Sequence, residues 1–135
     1  LVIGADTIVV YNDNILGKPK NKADAFAMLS SLSGNSHSVY TGVCLIEKDE
    51  NLKIANQITF NVATEVTFSE LSESLIYNYI DSEKPFDKAG SYGIQDDFGA
   101  VFVEKISGDF YNVVGLPLNK LYSILNEHFP NALIR

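Results

Sequence analysis

The alternation of apolar and polar residues divides the chain into segments typical of strands and of helices. Residues 1–11 are apolar at nearly every position, as in a central strand covered on both faces, and the polar residues 12–14 form a turn signal. Apolar residues then recur at helical spacing between Asn21, a good helix cap, and Gly34, a good helix stop. We therefore predict a first strand, a turn and a helix from about 22 to 33.

Two segments rich in Val, Ile, Thr, Tyr and Phe follow, at 37–48 and 52–69. The polar stretch KDEN separates them, which predicts two strands joined as an antiparallel hairpin. Ser72 is placed to cap a second helix, because apolar residues again recur at helical spacing after it.

The last part of the chain predicts one more strand and one more helix. The segment GAVFVEKI indicates a strand at about 99–106, a turn follows at 107–109, and a helix is expected from near Pro117 to Phe129. No internal repeat or low-complexity linker interrupts this order. The sequence indicates a single domain over residues 1–135, of the α/β or α+β class, with a mixed sheet.

Size and charge limit the classes of partner. The chain has 135 residues, of which 46% are hydrophobic and 20% charged, a balance typical of one globular domain. Its 10 Lys and Arg against 17 Asp and Glu give a net charge of -7, which repels polyanions. We therefore expect no nucleic-acid polymer and no anionic membrane surface as a partner, whereas a small anion that carries its own metal is compatible with this charge.

The cysteine and histidine residues argue against two kinds of site. Cys44 is the only cysteine, so the chain has neither an intrachain disulfide nor a thiolate cluster, which suits a reducing compartment. His37 and His128 lack the spacing of a histidine metal site. No apolar run approaches the roughly 20 residues that span a bilayer. We expect a soluble, cytoplasmic protein.

The motif GAD at 4–6 places a carboxylate within an apolar segment. A carboxylate there needs a hydrogen-bond network, a metal or a raised pKa, which makes Asp6 a candidate base or metal ligand. The alternative is an aspartate that accepts hydrogen bonds from backbone amides and has no chemical role.

The motif LGKP at 16–19 holds a lysine at a bend. Gly17 permits a turn and Pro19 favours an extended conformation for Lys18, so the ammonium can reach a phosphate. The spacing is not that of a P-loop, and a solvated turn lysine is the alternative.

The stretch FDKAGSYGIQ, residues 86–95, is typical of neither a helix nor a strand. Its two glycines allow a close backbone approach to a ligand, Lys88 offers a second cation, and the amide of Gln95 can pair with the edge of a nucleobase. The alternative is an ordinary surface loop in which Tyr92 and Ile94 pack inward.

Five motifs occur in a recognisable order: GADT, LGKP, LSG followed by YTGV, DKAGSYGIQ, and GDFYNVVGLPL. Together they resemble the Maf family of nucleoside triphosphate pyrophosphatases over nearly the whole chain. The resemblance implies an α/β fold with a mixed sheet, flanking helices and two lobes, similar to the inosine triphosphate pyrophosphatases, and a homodimer.

The resemblance also implies an activity. Family members hydrolyse a nucleoside triphosphate to the monophosphate and pyrophosphate with a divalent metal, Mg²⁺ or Mn²⁺, and the DKAG-Y-IQ loop is similar to that of members acting on dTTP and UTP. Asp6 matches the catalytic aspartate and would also hold the metal, while Lys18, Lys88 and Gln95 match substrate-binding positions. Lysines and a metal stabilise the charge that develops on phosphate oxygens.

One departure from the family pattern opens an alternative. Family members carry a turn of the type S-x-S-P-R-R, and an acidic residue and a lysine ahead of GAD, none of which is present here. We therefore expect a chain truncated at its N-terminal end, with little activity by itself. The alternative function is a catalytically silent interaction module related to septum-formation inhibitors.

Overall fold

The computed structural model describes residues 1–133. Within them the strands form one five-stranded sheet in the order β2-β1-β3-β4-β5. The strands are β1 (Val2–Tyr11), β2 (Asn14–Leu16), β3 (Ser36–Lys48), β4 (Ile54–Phe68) and β5 (Val103–Ser107). The helices are α1 (Lys22–Leu32), α2 (Glu73–Glu83), α3 (Gly99–Phe102), α4 (Phe110–Val114) and α5 (Leu118–His128), with 3-10 turns at Ala89–Ser91 and Pro130–Ala132.

The expected α/β class, a sheet flanked by helices, is confirmed, with one refinement. Each of the four strand pairings in residues 1–133 is antiparallel, in place of a mixture of strand directions. The predicted hairpin is β3 and β4, which pair along almost their whole length. At its turn the carboxylate of Asp49 accepts hydrogen bonds from the amides of Asn51 and Lys53, at 2.8 and 2.9 Å.

The predicted first strand is β1, but its covering differs from the expectation. It lies between β2 and β3, as a central strand does, yet its residues up to Asp6 are exposed and only Val9 is buried. The expectation of a strand covered on both faces along its length is therefore wrong for its first half. The first half of β1 is exposed because the main hydrophobic core reaches this strand only near Val9.

Local capping signals place the first two helices where they were predicted. The side chain of Asn21 accepts a hydrogen bond from the amide of Asp24 at 2.9 Å, and that of Ser72 accepts one from Leu75 at 3.2 Å. Each bond satisfies an amide that the first turn of a helix leaves free. Gly34, with φ of +68°, follows α1 as expected, and α5 matches the predicted last helix.

The predicted strand at 99–106 is wrong in its first half. Gly99–Phe102 form the helical turn α3, and the strand begins only at Val103. A Cβ on Gly99 would lie 2.0 Å from the carbonyl oxygen of Gly93, so the chain folds back tightly here. The turn also buries Phe102 completely, with its ring 4.8 Å from that of Tyr79.

Two hydrophobic clusters lie on one face of β3. The larger one packs Val39 against α1, α2 and the 86–95 loop, and the smaller one packs Val43 and Leu45 against α5. These three residues are separated by even numbers, so their side chains share a face. No helix within residues 1–133 is both long and apolar enough to cross a membrane.

Candidate active site

A cleft of about 310 Å³ opens between β1, the 86–95 loop and the end of α4. Its size falls at the lower end of the range typical of small-molecule sites. All four site residues predicted from the sequence line it, namely Asp6, Lys18, Lys88 and Gln95. Segments that are far apart in the chain, from Ala5 to Gly115, thus meet at one concave surface.

Asp6 lies at the open edge of the cleft. Its side chain is exposed, and Oδ1 accepts a hydrogen bond from the amide of Thr7 at 2.9 Å. The expected burial of this carboxylate among apolar neighbours is therefore wrong, because the first half of β1 is uncovered. Asp6 also borders a shallow apolar concavity lined by Gly42, Val43 and Cys44.

The hydroxyl of Thr7 belongs to the wall of the cleft. Its Oγ1 lies 2.8 Å from Oγ1 of Thr41, which donates a hydrogen bond to the carbonyl of Asn112 at 3.1 Å. The side-chain amide of Asn112, through Nδ2, in turn donates to the carbonyl of Val39 at 3.1 Å and to Oγ1 of Thr64 at 2.9 Å. Asn112 therefore ties α4 to β3 and β4.

The LGKP motif and the 86–95 loop are joined through their backbones. The amide of Gly90 donates a hydrogen bond to the carbonyl of Gly17 at 3.1 Å, which brings the exposed Lys18 to the side of the cleft facing the loop. Gly90 has φ of +71°, a conformation that favours glycine, and a Cβ there would lie 3.1 Å from Cγ2 of Val9. The glycine therefore permits the loop to pack closely against β1.

The base of the loop is anchored in the core. Tyr92 and Ile94 are buried, as the surface-loop interpretation expected, and Oη of Tyr92 lies 2.6 Å from Nε2 of His37. Burial lowers the pKa of His37 to about 4, so the imidazole is neutral at pH 7. The inward packing and the exposed Gln95 coexist, because the continuous buried run 90–94 ends directly before Gln95.

Lys88 lies between two carboxylates. Its Nζ is 3.3 Å from Oδ1 of Asp87 and 3.8 Å from Oδ2 of Asp96. The hydrogen bond from Lys88 holds the pKa of the Asp87 carboxyl below its usual range. The hydroxyl of the buried Tyr79 donates to Asp96 Oδ2 at 2.8 Å.

Sequence reasoning missed both Tyr79 and Asp96. The helical pattern identifies Tyr79 only as an apolar residue, which describes its ring but not its hydroxyl. Asp96 follows directly after the loop motif. The signal that could have found them is an acidic residue directly after a loop that carries a lysine, together with a tyrosine whose buried hydroxyl requires a partner.

The described residues fit a divalent cation only at a site that the protein shares with the phosphates of a bound ligand. No group of three or more His, Cys, Asp or Glu side chains that could hold a metal is present within residues 1–133. Mg²⁺ is commonly held by one or two carboxylates together with substrate phosphates and water, and the exposed carboxylate of Asp6 meets that requirement. The cleft therefore fits a cation that a nucleotide brings with it rather than a closed protein cage.

Comparison with known proteins gives a family match and several relatives. The family described as Maf-like protein matches residues 1–128. A dTTP/UTP pyrophosphatase of Clostridium perfringens is 55% identical over 128 residues, which cover 95% of this chain and 64% of the relative. A protein of the same name from Clostridium novyi is 52% identical over 94% of this chain and 64% of the relative.

A dTTP/UTP pyrophosphatase of Thermosipho melanesiensis is 54% identical over 93% of this chain and 65% of the relative. The chain therefore spans less than two thirds of the length of these relatives.

Proposed function

Because the chain belongs to the Maf family, we propose that it is, or forms the principal part of, a nucleoside triphosphate pyrophosphatase that hydrolyses dTTP and UTP. One observation carries the proposal: Asp6, Lys18, Lys88 and Gln95 line a single cleft of suitable size. The names of the relatives, each a dTTP/UTP pyrophosphatase, support the choice of substrates.

The reaction forms one bond and breaks another at the α-phosphorus. The oxygen of water bonds to that phosphorus, the bond to the oxygen of the leaving pyrophosphate breaks, and the water proton passes to a base. Asp6 is exposed at the edge of the cleft, where its carboxylate can orient the water and accept the proton. The products are the nucleoside monophosphate and pyrophosphate.

The two lysines supply positive charge to a protein that is acidic overall. With a net charge of -7, the chain as a whole repels a triphosphate, so cations at the binding surface are required. Lys18 and Lys88 lie on the wall of the cleft and would face phosphate oxygens, where they stabilise the charge that develops as pyrophosphate departs.

The proposal includes a divalent cation, Mg²⁺ or Mn²⁺, held by Asp6 and by the phosphates of the substrate. Such an ion would supply Lewis-acid stabilisation of the phosphate oxygens. Asp6 is the described cleft residue best placed for this contact, since Asp87 is paired with Lys88.

We propose that Gln95 recognises the base through hydrogen bonds. Its amide offers one donor group and one acceptor, and uracil and thymine present an N–H beside a carbonyl oxygen on the same edge. The side chain is exposed at the cleft, so the amide is free to turn toward a bound base.

We further propose a cytoplasmic homodimer. Large apolar side chains are exposed along α4 and α5, among them Phe110, Tyr111, Leu118 and Tyr122. An aromatic patch of this kind is typical of protein interfaces. The single cysteine, which leaves no intrachain disulfide, suits a reducing compartment.

The test is pyrophosphate release by the complete gene product that carries this chain. It is supplied with dTTP, UTP, dCTP, dATP and dGTP in turn, with Mg²⁺, with Mn²⁺ or with a chelator, and the Clostridium perfringens relative serves as the assay control. We expect release from dTTP and UTP that requires a metal and fails in Asp6→Asn. A folded protein that releases pyrophosphate from none of them would contradict the proposal and favour the silent interaction module.

A further inference from the structure

We propose that Tyr79 and Asp96 are positioning residues that hold the ammonium of Lys88 at the wall of the cleft. The inference rests on the proposed function, in which Lys88 faces the triphosphate. Neither residue lies among those that line the cleft, so their effect on the substrate would pass through Lys88.

The direction of the hydrogen bonds follows from their donors. The amide of Gly93 donates to Oη of Tyr79 at 3.0 Å, so the phenol oxygen acts there as an acceptor. The single hydroxyl proton is then available to Oδ2 of Asp96, 2.8 Å away. Burial, followed by the neighbouring Asp96, raises the pKa of Tyr79, which keeps this proton in place at every physiological pH.

The same oxygen of Asp96 that accepts from Tyr79 also faces the lysine. Oδ2 lies 3.8 Å from Nζ of Lys88. The side chain of Asp96 is 15% exposed, whereas that of Asp87, the other carboxylate beside Lys88, is 78% exposed. Asp96 is therefore the partner with a fixed position, because a buried hydroxyl orients it, and Asp87 is the partner that solvent screens.

The absence of a side chain at Gly93 makes room for this arrangement. A Cβ on Gly93 would lie 2.7 Å from Cε of Lys88 and 2.7 Å from Oδ2 of Asp96. Both distances are shorter than a carbon atom tolerates. Gly93 thus contributes twice, with an amide that orients Tyr79 and with the space in which Lys88 meets Asp96.

The arrangement has a consequence for binding. The side chain of Lys88 is only 27% exposed and is already restrained before a ligand arrives. Ordering a lysine upon binding costs conformational entropy, and a restrained lysine has lost part of that entropy beforehand. Loss of the Tyr79 hydroxyl or of the Asp96 charge should therefore weaken the action of Lys88 on the triphosphate.

The experiment is a set of double-mutant cycles on the complete gene product, measured as kcat/KM for dTTP. We expect Tyr79→Phe and Asp96→Asn each to lower kcat/KM roughly tenfold, as expected for a hydrogen bond to a charged group. In a Lys88→Ala background the same two changes should have almost no further effect, because their target is gone. Equal losses in both backgrounds would overturn the proposal, since a purely structural role does not depend on Lys88.

Matched variants separate positioning from folding. Tyr77→Phe, on the same helix but exposed and stacked on Phe26, should leave kcat/KM unchanged. Gly93→Ala keeps the backbone amide and should lower kcat/KM when Lys88 is present but not when it is alanine. If Gly93→Ala is equally harmful in both backgrounds, crowding at Lys88 is not its effect and the proposal fails.

A measurement without turnover distinguishes this proposal from the proposed function. The Cε signal of Lys88, assigned by NMR from its loss in Lys88→Ala, should move in Tyr79→Phe and in Asp96→Asn but stay in place in Tyr77→Phe. An unmoved signal in both test variants would overturn the positioning role. A moved signal in a protein that hydrolyses no nucleotide would support the positioning role and contradict only the proposed function.

Discussion

The phenol oxygen of Tyr92 lies 2.6 Å from Nε2 of His37, inside the main hydrophobic core and beneath the loop that forms one wall of the cleft. Within residues 1–133, Nδ1 of His37 is buried without a hydrogen-bond partner. A protonated imidazole needs acceptors for two N–H groups, and this environment provides a candidate for only one. The pair therefore holds His37 in its neutral form.

The first prediction is a loss of stability at acidic pH that depends on His37. Its pKa is about 4 in the folded protein and about 6.5 when unfolded, so the unfolded chain takes up the proton first. The stabilisation is complete above pH 6.5 and falls as the pH drops toward 4, where about 3 kcal/mol of unfolding free energy is lost. Urea unfolding at pH 7 and pH 4 measures the change.

Two variants separate the contribution of His37 to the pH dependence of stability from that of the carboxyl groups, which also titrate in this range. His37→Gln keeps a hydrogen-bonding side chain but cannot titrate, and it should show a smaller pH dependence than the parent protein. His128→Gln removes the exposed histidine and should retain the parent's dependence. An equal pH dependence in His37→Gln would mean that His37 does not carry the effect.

The second prediction concerns Asp6. Asp6→Asn should reduce kcat on the order of 10²-fold or more, because the amide keeps the shape of the side chain but loses its charge and basicity. Stability should change little, since the side chain is exposed. Asp13→Asn, an exposed change outside the cleft, should leave both quantities unchanged. Near-normal turnover in folded Asp6→Asn protein would remove the catalytic assignment.

The third prediction concerns Lys18. Lys18→Ala should raise KM for dTTP roughly tenfold through loss of a charged contact to phosphate, with thermal stability nearly unchanged. Lys20→Ala, an exposed lysine two residues later that does not line the cleft, is the control. If the two variants behave alike in steady-state kinetics, Lys18 acts only through general charge.

Much of the fold could be predicted because its signals are local. The caps at Asn21 and Ser72 each involve an amide three residues away, and the β3–β4 hairpin follows from composition and one polar break. The helical turn at Gly99 could not be predicted in this way. It depends on a close approach to Gly93, whereas the residue pattern of this segment by itself is typical of a strand.

In the candidate site, too, the features with local sequence signals could be predicted and those that depend on tertiary packing could not. Each of its short motifs was ambiguous by itself, and only their order, through the family resemblance, indicated that they act together. The exposure of Asp6 and the contact of Tyr79 with Asp96 depend on tertiary packing. A helical pattern reports that the ring of Tyr79 is buried but says nothing about the partner of its hydroxyl.

The fourth prediction concerns the buried Asn112. Asn112→Ala should lower the free energy of unfolding by about 1–3 kcal/mol, because the hydroxyl of Thr64 and the carbonyl of Val39 each lose a donor in a buried environment. Asn78→Ala, an exposed change on α2, should be close to neutral. Denaturant unfolding of both variants checks this, and equal stabilities would show that the bonds of Asn112 contribute nothing.

The last prediction concerns base selection by Gln95. The amide lines the cleft but carries no charge and no base, so its removal should affect recognition more than chemistry. Gln95→Ala should therefore lower the ratio of kcat/KM for dTTP and UTP over dATP and dGTP by roughly tenfold, while kcat for dTTP falls less. Gln57→Ala, an exposed glutamine on β4, should preserve the ratio. The measurement is pyrophosphate release from all four nucleotides by the parent protein and both variants. An unchanged ratio in Gln95→Ala would assign base selection elsewhere in the cleft, whereas a loss of kcat as large as that of Asp6→Asn would place Gln95 in the chemical step.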